Sequence, residues 1–154
     1  MRLGKFGLRL GTAISGGLLL IATMGSTFAF EPSLTGLWRT IDDKTGKPRG
    51  VVRIYEENGE IFAKIEECLN PSEANEICEK CPGDRKDQPV IGLVIIRRMK
   101  KTGGEYSGGD ILDPETGAIY RCRLRLAEDG RSLEVRGYFG AALFGRSQTW
   151  LRAD

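Results

Sequence analysis

Turn signals recur along this chain at intervals too short for helices. Glycine clusters, all but one with Asp, Asn or Pro, mark DDKTGKPRG (42–50), EENGE (56–60), KKTGGE (100–105), DPETG (113–117) and AEDGRS (127–132). The runs between them are short and rich in Val, Ile, Leu, Tyr and Phe, the pattern of strands joined by tight turns. Strands are expected near 35–41, 50–56, 60–68, 90–98, 105–112, 118–127, 132–139 and 146–152. No segment after residue 30 keeps a helical period over the roughly 10–12 residues a helix needs. The long connection 69–89 has room for one helical turn around PSEANEICEKC.

Alternation tells which side faces in. In IYRCRLRLA, Tyr120, Cys122, Leu124 and Leu126 share one face, and Arg121, Arg123 and Arg125 share the other. In SLEVRGYF, Leu133, Val135 and Phe139 oppose Glu134, Arg136 and Tyr138. One wet and one buried face is what a period of two gives an outer wall. The run VIGLVII (90–96) is apolar on both faces, so its outer side needs a cover. About eight antiparallel runs in chain order predict an all-β, up-and-down barrel, which leaves no open edge. A β-sandwich is the second architecture.

The first 29 residues have the layout of a secretory leader: Arg2, Lys5 and Arg9, then an uncharged apolar stretch, then small residues at Thr27 and Ala29. The apolar part is diluted by glycine and serine, and its dense part, Leu18 to Ala22, falls far short of the ~20 residues of a membrane span. A leader at 1–29, a single domain at 30–154 and a periplasmic or secreted location are therefore expected. Three of the 23 basic residues and none of the 21 acidic ones lie in 1–29, leaving 20 against 21, a formal charge of −1. Net charge thus gives no support for a nucleic-acid partner. No membrane contact is expected once the leader is removed.

There is no histidine. That excludes His-based acid–base chemistry, the Ser-His-Asp arrangement and most catalytic zinc sites. Four cysteines, Cys68, Cys78, Cys81 and Cys122, follow the leader, and in an oxidising compartment disulfides are the default. Cys78 and Cys81 suit a small loop bridge, leaving Cys68 to meet Cys122 across the barrel, with crossed pairings open. The spacing gives one close pair only, against the two that a four-cysteine zinc site needs, and no metal or cofactor is expected. Asp110, Asp113 and Glu115 in GGDILDPETG read as a turn, with Asp opening it, Pro fixing φ and Gly closing it. Were the protein an enzyme, carboxylate or thiolate chemistry would fall to Asp110, Asp113, Glu66, Glu67 or a cysteine. The arginines 121, 123 and 125 read as a solvated face with cross-strand partners.

TGLWRT puts Trp38 near the start of the first strand, and SQTWLR puts Trp150 and Arg152 near the end of the last. In a closed barrel those strands are neighbours, so the two tryptophans brace the join and an arginine stacks on one of them. This Gly-x-Trp plus terminal Arg arrangement resembles the lipocalin and fatty-acid-binding, or calycin, barrels. Over Gly36 to Arg152, the pieces GGDILDPETGAIY and VRGYFGAALFGRSQTW above all, the chain resembles the bacterial secreted family called domain of unknown function 2147. That resemblance implies an exported calycin-like barrel and carries no catalytic residues over.

The connection 140–145, between two strand-like runs, holds Ala141, Ala142, Leu143 and Phe144 and no polar side chain. Leaving a Leu or Phe in water forgoes ~1.5–3 kcal/mol relative to burial. Three readings follow: a lid packed on the barrel mouth, an exposed patch for a partner or surface, or a moving gate. The small alanines favour the lid. The leading functional expectation is a non-enzymatic binding module whose inward side chains, Trp38, Ile54, Tyr120, Leu124, Phe139, Phe144 and Trp150, surround a small apolar ligand. The alternative is an envelope interaction or structural module that uses the 140–145 loop on a protein partner.

Overall fold

The computed structural model describes residues 32–141 and 143–153; the expected leader at 1–29 lies outside them. Nine strands form one antiparallel sheet: β1 (Gly36–Ile41), β2 (Pro48–Glu57), β3 (Glu60–Cys68), β4 (Val94–Thr102), β5 (Glu105–Ser107), β6 (Asp110–Leu112), β7 (Ile119–Leu126), β8 (Ser132–Tyr138) and β9 (Gly145–Arg152). The sheet runs β3-β2-β1-β9-β8-β7, passes through β5 and β6 to β4, and returns to β3, so the barrel is closed. β5 and β6 are two pieces of one stave, since each pairs with both β4 and β7. That makes eight staves, as the turn spacing predicts, and the sandwich alternative falls away. The break between the two pieces presses on β4, where a Cβ on Gly109 would stand 2.1 Å from the Arg97 carbonyl oxygen.

One strand sits four residues later than its apolar run suggests. Expected at 90–98, β4 begins at Val94 because residues 90–93 turn: the Gly92 amide donates to the Ile65 carbonyl and the Ile65 amide to that of Leu93. Its far end runs through the basic RRMKKT because a bulge at Arg98, with φ of +58°, brings Met99 back to the inner face opposite Ile61. Met99 is fully buried there.

The interior is filled. Trp38, Ala63, Ile96, Cys122, Leu124 and Leu133 have no exposed surface, which leaves no water-sized void against them. Trp38 lies opposite Arg152 where β1 meets β9, and the guanidinium carbon of Arg152 sits 4.3 Å from the Trp38 ring centre, as the two terminal strands predict. Arg152 Nε donates to the Gly130 carbonyl at 2.7 Å and Nη1 to that of Thr35 at 3.2 Å, while Nη2 reaches the Ser33 carbonyl. Trp38 Nε1 donates to the Leu34 carbonyl at 2.9 Å, and Leu34 is itself buried. Residues 33–35 are thereby tied to the barrel end where β9 finishes.

The connection between β3 and β4 covers the outer wall. Leu112 pairs with Ile119, one step out of phase with the inward Ile111–Tyr120 pair, and so faces outward, yet it is 2 % exposed. Over this wall lie Cys78 and Cys81, a disulfide with Cα atoms 5.3 Å apart, and the short 3-10 turn Gly83–Arg85. The helical turn expected around 71–81 comes instead at 83–85. Arg85 is buried on the outward-facing Asp110, Nη1 to Oδ1 3.4 Å, and Arg97 holds Asp84 through two bonds of 2.8 and 3.0 Å. Lys80 Nζ donates to the Glu115 carbonyl at 3.0 Å. At Gly117, with φ of +72°, a Cβ would lie 2.0 Å from the Lys80 carbonyl oxygen, so this contact requires glycine.

Candidate functional site

Strands in a barrel tilt against its axis, so a row of cross-strand neighbours climbs as it goes round the wall. One inward row reads Ile54, Ala63, Ile96, Ile111 and Tyr120 from β2 to β7. The next step, beyond the Arg121–Tyr138 pair, sets Tyr120 against Phe139, their ring centres 4.5 Å apart and tilted by 52°. Beyond that, the Phe139 amide donates to the Phe144 carbonyl at 3.1 Å. The row is sealed at Ile54, Ala63 and Ile96, half-buried at Ile111 and Tyr120, and in water at Phe139 (60 % exposed) and Phe144 (72 %). It therefore starts in the core and ends as an aromatic ledge outside the mouth.

This geometry sorts the side chains expected to surround a ligand. Trp38, Ile54, Leu124 and Trp150 lie buried in the core. Tyr120 stands at the boundary. Phe139 has the inward phase that alternation predicts, but the wall below it ends before it is covered. Phe144 is likewise outside, and the lid expected for 140–145 does not form. Leu143 is 82 % exposed. The hairpin closes on itself through the Phe139–Phe144 and Phe144–Ala141 backbone bonds, and the Phe139, Leu143 and Phe144 side chains are left in water.

Beside the ledge is a polar cluster that no motif announced. Counting back by twos from Trp150 puts Gln148, Arg146 and Phe144 on one side of β9. Trp150 Nε1 donates to Gln148 Oε1 at 3.2 Å, Gln148 Nε2 donates to Asp43 Oδ2 at 3.3 Å, and Arg146 pairs with the same carboxylate. The β9 members were legible from that period. Asp43 was not, because its place depends on the fold of the 42–47 turn.

The cysteines divide. Cys78 and Cys81 are bridged, while Cys68 and Cys122 are unpaired, so the bridge expected across the barrel is absent. Burial pushes the Cys122 thiol up to about 12, with the Asp110 charge adding to the shift. Burial also raises that of half-buried Cys68, followed by the nearby Glu73 charge. Neither environment favours a thiolate. Asp113 works as a turn residue, accepting from the Glu115 amide at 3.0 Å and the Thr116 hydroxyl at 2.9 Å. Glu66 accepts from Arg53 at 3.0 Å, a hydrogen bond that holds its carboxyl below the usual range, and Glu67 is exposed on β3. Two of the outer arginines find a carboxylate, Glu105 lying 3.6 Å from Arg123 and 3.4 Å from Arg125, and Arg121 stands across the β6–β7 pairing from Asp110. Among the described residues, no three His, Cys, Asp or Glu side chains are placed to hold a metal ion.

Two hollows open on the outer wall. One, of about 290 Å³, lies between the connection and β4, lined by Arg85, Gln88, Leu93 and Arg97 among others. The second, of about 180 Å³, lies between Arg123, Arg125, Glu134 and Arg136. Both are flanked by ion-paired side chains, and the aromatic ledge is where unpaired apolar surface gathers.

Residues 36–152 match the family described as uncharacterized protein conserved in bacteria, DUF2147. Among solved structures, the chain is similar to protein HP1028 of the human pathogen Helicobacter pylori, described as belonging to the lipocalin family. The TM-score is 0.69 and the identity 22 %, over 79 % of this chain and 84 % of that one. At that identity the likeness is one of fold. None of the curated proteins matches.

Proposed function

The chain belongs to the bacterial DUF2147 family, and from that premise we propose that it is an exported, non-enzymatic binding module that takes a small apolar ligand at the barrel mouth. One observation carries this reading. In a barrel whose interior is filled, an inward-facing row continues into water as Tyr120, Phe139 and Phe144. Aromatic rings offer large contact area at little entropic cost. The Arg146–Asp43–Gln148 cluster beside them supplies polar groups that orient what lands there. The site is thus shallower than the chamber that the sequence suggests.

Fluorescence titration with anilinonaphthalene sulfonate tests this. Phe139→Ala and Phe144→Ala should each weaken binding about tenfold, the loss of roughly one aromatic contact face. Phe144→Asp should abolish binding and leave the melting temperature unchanged, since the side chain is mostly in water. Binding that survives both alanine variants and is lost on Trp150→Phe would place the ligand inside and overturn the proposal.

The exposure of Leu143 favours a second reading, in which the same loop caps an envelope protein. Capture of a defined partner that Leu143→Asp abolishes, with dye binding intact, would select that reading.

A further inference from the structure

We propose that the outer hollow between the β3–β4 connection and β4 binds a small carboxylate with an apolar body, gripped by Arg85. The hollow measures about 290 Å³, room for a small organic molecule. Arg85, only 5 % exposed, lines it together with Arg97 and the apolar side chains of Pro89, Ile91, Leu93 and Val94. The apolar outer side of 90–96 called for a cover, and the connection that covers it leaves this space.

Two carboxylates answer the two arginines here, so net charge selects nothing. Arg97 stands across the β4–β6 pairing from Asp110 and holds Asp84 through two bonds, and Arg85 Nη1 reaches Asp110 at 3.4 Å. What selects is how little of Arg85 that contact uses. Its Nε is the one buried side-chain nitrogen or oxygen without a hydrogen-bond partner among the described residues. Its Nη2 makes no hydrogen bond to them either, and it is not sealed in. Nε–H and Nη2–H lie side by side along one edge of a guanidinium, the fork that takes both oxygens of a carboxylate. Leaving that edge unanswered on a buried cation is costly. A carboxylate answers both donors at once, whereas a neutral oxygen answers one. The apolar lining favours a ring or short alkyl chain behind the carboxylate over the further charged oxygens of free phosphate. The site shares no residue with the aromatic ledge and goes beyond the small-ligand reading made there.

The test titrates benzoate into the full chain at neutral pH, followed by calorimetry and by the arginine Nε–H signals of a nitrogen-15 NMR spectrum. The Arg85 signal, identified by its loss in Arg85→Met, should move as benzoate binds. Acetate, which lacks the ring, should bind about tenfold more weakly, and uncharged benzyl alcohol should leave the signal in place. Arg85→Met, which removes the cation and keeps the hollow apolar, should cut benzoate affinity about thirtyfold. Asp84→Asn removes a competing negative charge from an exposed side chain and should raise affinity about threefold. An Arg85 signal that benzoate leaves unmoved overturns the proposal, and it needs no variant to fold. Benzyl alcohol binding as tightly as benzoate overturns it too, since the hollow would then be an apolar crevice only. Benzoate binding should survive Phe144→Asp; its loss there would place the carboxylate at the ledge and overturn this proposal while leaving the ledge reading standing.

Discussion

Cys122 is a thiol with nowhere to put a charge. In the folded protein it holds its proton to about pH 12, whereas an ordinary cysteine releases it near 9.0. Above pH 9 the unfolded chain therefore binds fewer protons than the folded one, and stability falls as pH rises toward 12. The slope from this group is at most about 1.4 kcal/mol per pH unit. Urea melts across that range should show a shallower decline for Cys122→Ala than for the parent, whatever the constant offset between them. Arg152 is the opposite case, a charge with every direction used. It stacks on Trp38 and donates to three backbone carbonyls, so Arg152→Ala should cost about 3 kcal/mol in the same assay. Much of this was readable in advance. The terminal arginine over a tryptophan follows once the first and last strands are neighbours, whereas its three carbonyl partners depend on where residues 33–35 and the 127–131 turn come to rest.

Among the elements, the β3–β4 connection shows where sequence reading stops. Two-sided apolarity in 90–96 says that something must cover the wall, and the Cys78–Cys81 spacing says that a small bridge lies in the connection. Neither says that the bridge is the cover. That needs the Gly117–Lys80 approach and the Arg85–Asp110 pair, contacts between residues distant in the chain. Arg85 is buried with its Nε lacking a partner, so it is already incompletely compensated. Asp110→Ala, which leaves that cation alone, should destabilise by about 3 kcal/mol or more, while Arg85→Met, which removes it, should cost far less. Thermal melts of the two variants decide the order. Register shows the same limit: β4 starts where Gly92 lets the chain turn, and its bulge at Arg98 rephases the inner face, which no count of apolar residues reveals.

For the whole molecule, closure depends on unequal joins. β2 and β3 pair from Gly50–Cys68 to Glu57–Glu60 with one shift of register between Val51 and Val52, whereas β1 and β9 pair at Trp38–Arg152 and Arg39–Leu151. The short join is reinforced by a side-chain contact, the Arg152 guanidinium on the Trp38 ring, and by the Ala153 amide on the Leu37 carbonyl. Hydrogen exchange should therefore release the Arg39 and Leu151 amides before those in the middle of β2 and β3, and Arg152→Ala should widen that gap. Equal protection at both places would contradict this account. The closed eight-stave plan was legible from turn spacing and alternation. The filled interior was not, because inward phase says which residues face the axis and nothing about whether room remains between them. The thin join also fixes where the wall is weakest: were the barrel to unbutton, it would part first along the line where its first and last staves touch.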